Sequence, residues 1–199
     1  MNKHVPPLTI DRATRAAEGL QRWRWTTAEL LRMVEFGILD EDAKIELIGG
    51  EIVAMSPAGR VHEVLADELA QYWSPRAPQD ARVSVEQQFN LDASTYTDPD
   101  ILVRPAGVKA YDLRGDTALL VVEIADSSWD KDVGTKARLY ASFGVREYWV
   151  INAVTRATRV HREPRGDLYG DVSDRIAADL LTPSLVPQLA VRLADLDLD

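Results

Sequence analysis

A chain of 199 residues, 46% hydrophobic and 28% charged, is long enough for one well-packed core and has the make-up of a soluble globular protein rather than a disordered or fibrous one. Its formal net charge of -9 excludes a surface that is basic overall, so any contact with nucleic acid needs a local basic patch. The absence of cysteine excludes disulfides, thiolate zinc sites and a cysteine nucleophile.

The opening residues lack an apolar stretch of signal-peptide length, and no window approaches the ~18 apolar residues of a membrane helix. No membrane partner is expected, and a cytoplasmic location is the default. Residues 1–20 read as an arm and 21–199 as a single domain. In "TTAELLRMVEFGIL", Thr26 and Glu29 form the capping-box pattern, and Leu30, Leu31, Val34 and Ile38 make one stripe of an amphipathic helix. "KIELIGGEIVAM" alternates around Gly49-Gly50 and predicts a hairpin with strands at 44–48 and 51–55. Ser56-Pro57 suit the start of a long helix whose face is Val61, Leu65, Leu69 and Tyr72.

Three strands follow: "RVSVEQQFNL", "DPDILVRP" and "ALLVVEIA", the last so continuously apolar that both faces should be covered. "DKDVGTKARLYASFG" predicts a helix from near Asp130 to Gly144, with Val133, Ala137 and Tyr140 inward. "REYWVINA" and "TRVHRE" predict two more strands, and the tail from Leu181, with two prolines, an extended packed segment. The order argues for a mixed central sheet flanked by helices with an added N-terminal hairpin: an α/β fold, or α+β by stricter counting.

Two carboxylates are unusually placed. Asp100 opens one apolar strand and Glu123 lies near the end of the next, so antiparallel pairing brings them together at one sheet edge, a donor set suited to Mg²⁺. Read singly, each is an ordinary strand-end acid facing water. Lys136, on the following helix, can point its ammonium at the same edge if the helix packs back across the sheet, and there it would stabilise developing phosphoryl charge. Alone it reads as a solvated helical lysine. Tyr148 and Trp149 are adjacent on a strand, hence on opposite faces, and read as core rather than a base-stacking pair. Arg156, Arg159, Arg162 and Arg165 either contact phosphates or balance Glu163 and Asp167.

"DPDILV", "LLVVEIADSS" and "DVGTKARLYASFGVREYWVIN", in that order, resemble the PD-(D/E)xK restriction-endonuclease-like superfamily, in particular its Uma-type bacterial branch. "KIELIGGEIVAMSPAGRVHEVLADEL" is similar to the start of that branch, and the likeness covers roughly residues 43 to 170. It implies a restriction-endonuclease-like core and a Mg²⁺ (or Mn²⁺) dependent nuclease acting on DNA or RNA. By position it implies Asp100 and Glu123 as metal ligands with the Ile124 backbone carbonyl as a third. Ala125 stands where the superfamily has its strand lysine, and Lys136 occupies the place to which this branch moves it. Glu46 is implied as an additional acid acting through a water, with an ion pair as the ordinary alternative, and His62 as a residue holding water or phosphate. Asp126 is expected to cap the second long helix together with Ser127 and Ser128. The resemblance also implies a homodimer, and it leaves open a second class: an inactive fold of this type serving as a binding or dimerisation module.

Overall fold

Thr26 starts the first helix as the sequence predicts. Its Oγ1 accepts the Glu29 N–H at 3.2 Å and Glu29 Oε2 accepts the Thr26 N–H at 2.8 Å, a reciprocal cap. In the computed structural model, which describes residues 19–40, 42–55 and 58–198, this helix is α1 (Thr27–Glu35). The predicted stripe is narrower than expected. Leu30 is buried against Leu47 and Tyr96, whereas Leu31 and Ile38 face solvent, because the helix stops at Glu35 and rests on a small sheet.

The hairpin is β1 (Ile45–Ile48) and β2 (Glu51–Ala54), joined at Gly49-Gly50, both at positive φ. Most of the expected arm, and Ser56-Pro57, lie outside the described residues. The long helix α2 (Arg60–Trp73) begins after Gly59 and buries Leu65, Ala66, Leu69, Ala70 and Trp73. That face is turned one step from the predicted row, leaving Val61 exposed.

The predicted strand over 82–91 is two strands. β3 (Ala81–Val85) and β4 (Phe89–Asp92) are separated by Glu86, whose φ of 45° turns the chain out of extended geometry, and they join different sheets. Next come β5 (Thr95–Thr97), unanticipated because it is so short, β6 (Ile101–Pro105) and β7 (Leu120–Ala125). The second long helix is interrupted. A turn of α3 (Trp129–Lys131) runs into a π-helical turn over Asp132–Lys136 and resumes as α4 (Ala137–Ser142), ending at Gly144. β8 (Glu147–Asn152), β9 (Thr158–Arg165) and β10 (Leu168–Arg175) complete the strands; β10, polar and at the sheet edge, was not expected.

Two sheets result: β2-β1-β5-β4, and a mixed one in the order β10-β9-β8-β7-β6-β3 in which only β7 and β8 run parallel. β7 is covered on both faces, as its apolar run predicts. Leu120, Val122 and Ile124 pack with α2 and the tail, while Val121 and Ala125 pack with α4. Glu123 therefore shares the α4 face of its strand. Tyr148 and Trp149 are fully buried in these two opposite layers, so both are core. The tail is extended and packed, bridged at Leu181 and Val191, with short 3₁₀ turns and no long helix. No described helix is long and apolar enough to cross a membrane.

His161 on β9 is buried and stacks on Tyr148 with centroids 5.3 Å apart. Loss of solvent pushes its imidazole from 6.5 down to about 4. The unfolded chain therefore takes up this proton first as the pH falls, and the contribution of neutral His161 is lost between about 6.5 and about 4. Melting temperatures measured across that window should fall less steeply for His161→Phe than for the wild type; equal slopes would exclude His161 as a source of acid sensitivity.

Candidate active site

The register of β6 against β7 pairs Ile101 with Val122, which carries Asp100, one residue earlier, beside Glu123. The two expected acids are thus neighbours at one sheet edge. Asp100 is fixed on both oxygens: Oδ2 accepts the Ile124 N–H at 2.5 Å and Oδ1 lies 3.0 Å from His62 Nε2. The hydrogen bond to Asp100 holds the His62 imidazole above its usual pKa, against the effect of burial. His62 reaches this point from the first turn of α2, and its Nδ1 is buried without a partner among the described residues.

Lys136 also reaches the edge. Only 3% exposed, it lies 2.8 Å from Glu123 Oε1 and 2.9 Å from Glu46 Oε1. The π-helical turn that ends at Lys136 keeps both Asp132 and Lys136 buried, and such turns recur at functional sites. Burial alone would lower the lysine pKa, but the two carboxylates hold it above the normal lysine range. The Glu123 pKa rises too, which for a carboxyl favours the neutral form: burial, with Asp100, Asp132 and Glu46 nearby and only Lys136 opposing, pushes it up to about 8. One ammonium cannot balance this many acids.

Glu46 is fully buried on β1 and meets Lys136 and, at 3.5 Å, Lys131. It stands as a counter-ion to the helix and does not line the cavity. That cavity, of about 100 Å³, is lined by His62, Asp100, Glu123, Ile124, Asp126, Asp132, Lys131, Lys136 and the Ser127-Ser128 turn, among others. Asp126 is exposed there and does not cap the helix. The residue before α3, Ser128, has φ -91° and ψ 2° rather than extended geometry, and its hydroxyl donates to Asp132 Oδ2 at 2.5 Å.

Several site residues went unread in the sequence. The Tyr140 hydroxyl donates to Glu123 Oε1 at 2.9 Å and lies 3.0 Å from Thr97 Oγ1. It follows Lys136 by four residues, so helical spacing alone would have put both on one face. Together Lys136 and Tyr140 occupy Oε1 and leave Oε2 without a hydrogen-bond partner among the described residues. Asp98, half-buried near Glu46, is pushed up to about 6 by burial first and by Glu46 next. Tyr140→Phe should keep the fold but weaken divalent-cation affinity about 10-fold or more, measured by the cation's effect on melting; unchanged affinity would show that the hydroxyl does not set the Glu123 position.

No group of three or more His, Asp or Glu side chains among the described residues is disposed to hold a metal ion. Mg²⁺ does not require one, since it binds through one or two carboxylates and keeps several waters. Asp100 and Glu123 side by side, a surplus of negative charge and an adjoining cavity with room for several waters fit that ion. The arginines singled out in the sequence are committed elsewhere: Arg162 to Glu147 at 2.7 Å, Arg159 to Asp174 at 2.7 Å, Arg165 to Glu163 at 2.7 Å and Arg156 to the Leu193 carbonyl at 3.1 Å. They brace β9 rather than form a phosphate patch, and Asp167 pairs instead with Arg138.

Comparison with known proteins agrees with this architecture. A crystal structure described as "a putative nuclease belonging to DUF820", from Anabaena variabilis, superposes with a TM-score of 0.62 at 21% identity, covering 82% of this chain and 95% of that one. At that identity the likeness shows the fold. No curated protein matches the chain. The family model described as "Uma2: Putative restriction endonuclease" matches residues 27–195. Because that match runs from α1 to the last turn of the tail, the chain belongs to the Uma2 family.

Proposed function

We propose that this chain is a nuclease that hydrolyses phosphodiester bonds of DNA or RNA with a bound Mg²⁺ or Mn²⁺. The observation that carries the reading is the 2.8 Å approach of Lys136 Nζ to Glu123 beside Asp100, which supplies from a helix the cation that Ala125 does not supply from the strand. Asp100, Glu123 and the Ile124 carbonyl would hold the divalent ion. When bound, it polarises the phosphate and lowers the pKa of an attacking water. The Lys136 ammonium donates to Glu123 Oε1 and lies 2.9 Å from Glu46 Oε1, and its fixed charge favours the extra negative charge of the transition state. His62 orients Asp100, and Tyr140 orients Glu123. Lys131 and the Ser127-Ser128 turn line the cavity, where they can meet the phosphate.

The reading of the chain as an inactive module drew on Ala125 and on the net charge of -9; the approach of Lys136 to Glu123 supports the enzyme over it, while the charge still favours the module. Purified protein incubated with single- and double-stranded DNA and RNA, with Mg²⁺ and with Mn²⁺, should cleave at least one substrate, and Asp100→Ala should not. Equal cleavage by the two proteins would mean a contaminating nuclease and would sink the proposal.

A further inference from the structure

The segment Arg22-Trp23-Arg24-Trp25 alternates two cations with two indoles in a chain of net charge -9. It is exposed yet firmly seated. The Trp25 N–H donates to the Gly50 carbonyl at 2.8 Å, Arg24 Nε to the Gly49 carbonyl at 2.9 Å, and Arg22 pairs with Glu51 at 2.9 Å. The Gly-Gly turn permits this seat. A Cβ on Gly50, whose φ is 85°, would lie 2.7 Å from Arg24 Cβ. The segment therefore lies directly on the tip of the hairpin whose first strand carries Glu46.

Trp23 meets Trp25 edge-on at 6.2 Å and keeps 69% of its surface in water. The terminal nitrogens of Arg24 have no partner among the described residues. The Arg22 pair is a half-exposed surface pair, of the kind worth ~0–1 kcal/mol and readily exchanged for a phosphate. An exposed indole on an anchored backbone, flanked in sequence by two arginines, offers a π-face for one base and donors for neighbouring phosphates. Bases in a duplex have both faces already stacked, so the chemistry selects an unpaired strand. From Lys44, at the cavity, to Gly49 the hairpin spans five residues, roughly 17 Å at ~3.3 Å per residue. That distance lies within the reach of a bound single strand of ~4–16 nucleotides.

We propose that Arg22 to Trp25 form a stacking platform that holds unpaired nucleotides of the strand entering the Asp100–Glu123 site, so that the substrate is single-stranded or carries a single-stranded segment. The proposal rests on the nuclease reading for its purpose but is tested without turnover. Full-length protein is titrated in EDTA against a fluorescent oligonucleotide of about 12 nucleotides, alone or annealed to its complement, and anisotropy is followed. The single strand should bind more tightly. Trp23→Ala should weaken its Kd about 5- to 100-fold, Trp23→Phe should retain most of the affinity, and Arg24→Gln should reduce the salt dependence by about one ion.

Equal binding of duplex and single strand, or an unchanged Kd in Trp23→Ala, would overturn the platform. So would a Trp23→Ala protein that changes from dimer to monomer in sedimentation with its single-strand affinity intact; the surface would then belong to a second copy of the chain. Failure of the nuclease reading has a separate signature, no rise in wild-type melting temperature with Mg²⁺ or Mn²⁺, which Trp23→Ala should leave as it is in the wild type.

Discussion

Lys136→Met is expected to cost about 3–5 kcal/mol of stability, the penalty for leaving buried charge without its partner. An exposed helical lysine replaced in the same way shifts stability by no more than about 0.5 kcal/mol. The difference follows from what Lys136 touches: Glu46, fully buried, and Glu123, nearly so, both within 3 Å of one ammonium. Thermal melting should register a drop of about 6–20 °C for a chain of this size. Glu46→Gln, added to Lys136→Met, should recover part of the loss because it removes one of the stranded acids. A melting temperature within about 2 °C of wild type would mean that the lysine is not seated between these carboxylates.

Glu123→Gln should separate function from stability. Cleavage should fall about 10²–10³-fold or more, and the rise in melting temperature with Mg²⁺ should disappear, because an amide is a poor ligand and has lost the charge. The cation-free protein, in contrast, should be as stable as wild type or more so. Its folded-state pKa is raised from 4.5 to about 8, so ionising this group opposes folding, and wild-type stability contributed here is lost as the pH rises through that interval. The Gln variant lacks that slope. If Glu123→Gln melts well below the wild type at neutral pH, the carboxylate is a structural anchor and the proposed ligand role fails.

Some of this was open to reading from the chain alone. The adjacency of Asp100 and Glu123 required only that two successive strands pair antiparallel, a local matter of register. Gly49-Gly50 announced the hairpin, and the apolar run before Glu123 announced a strand covered on both faces. The approach of Lys136 was a different kind of question. It depends on how the β7–β8 crossover lies on the sheet and on a π-helical turn that periodicity does not reveal. The split at Glu86 was hidden because positive φ leaves no reliable mark on a glutamate. The arginines looked like a patch because their partners, Glu147, Asp174 and the Leu193 carbonyl, come from elements that only the fold brings near.

The ion pairs around Lys136 join β1 of one sheet to β7 of the other through a single side chain. The lysine is thus a fastener between two halves of the molecule as well as, on the proposed function, a charge near the phosphate, and it would answer to two selective pressures at once. On the proposed function, a descendant that had stopped cutting nucleic acid would still need Lys136 and Glu46 to stay folded, whereas Glu123 could become Gln, whose amide oxygen still accepts from Lys136 and Tyr140 without the charge. Under that proposal, persistence of the lysine among relatives would be a poor marker of live enzymes, and drift of Glu123 to a neutral residue would be the earlier sign of a retired one.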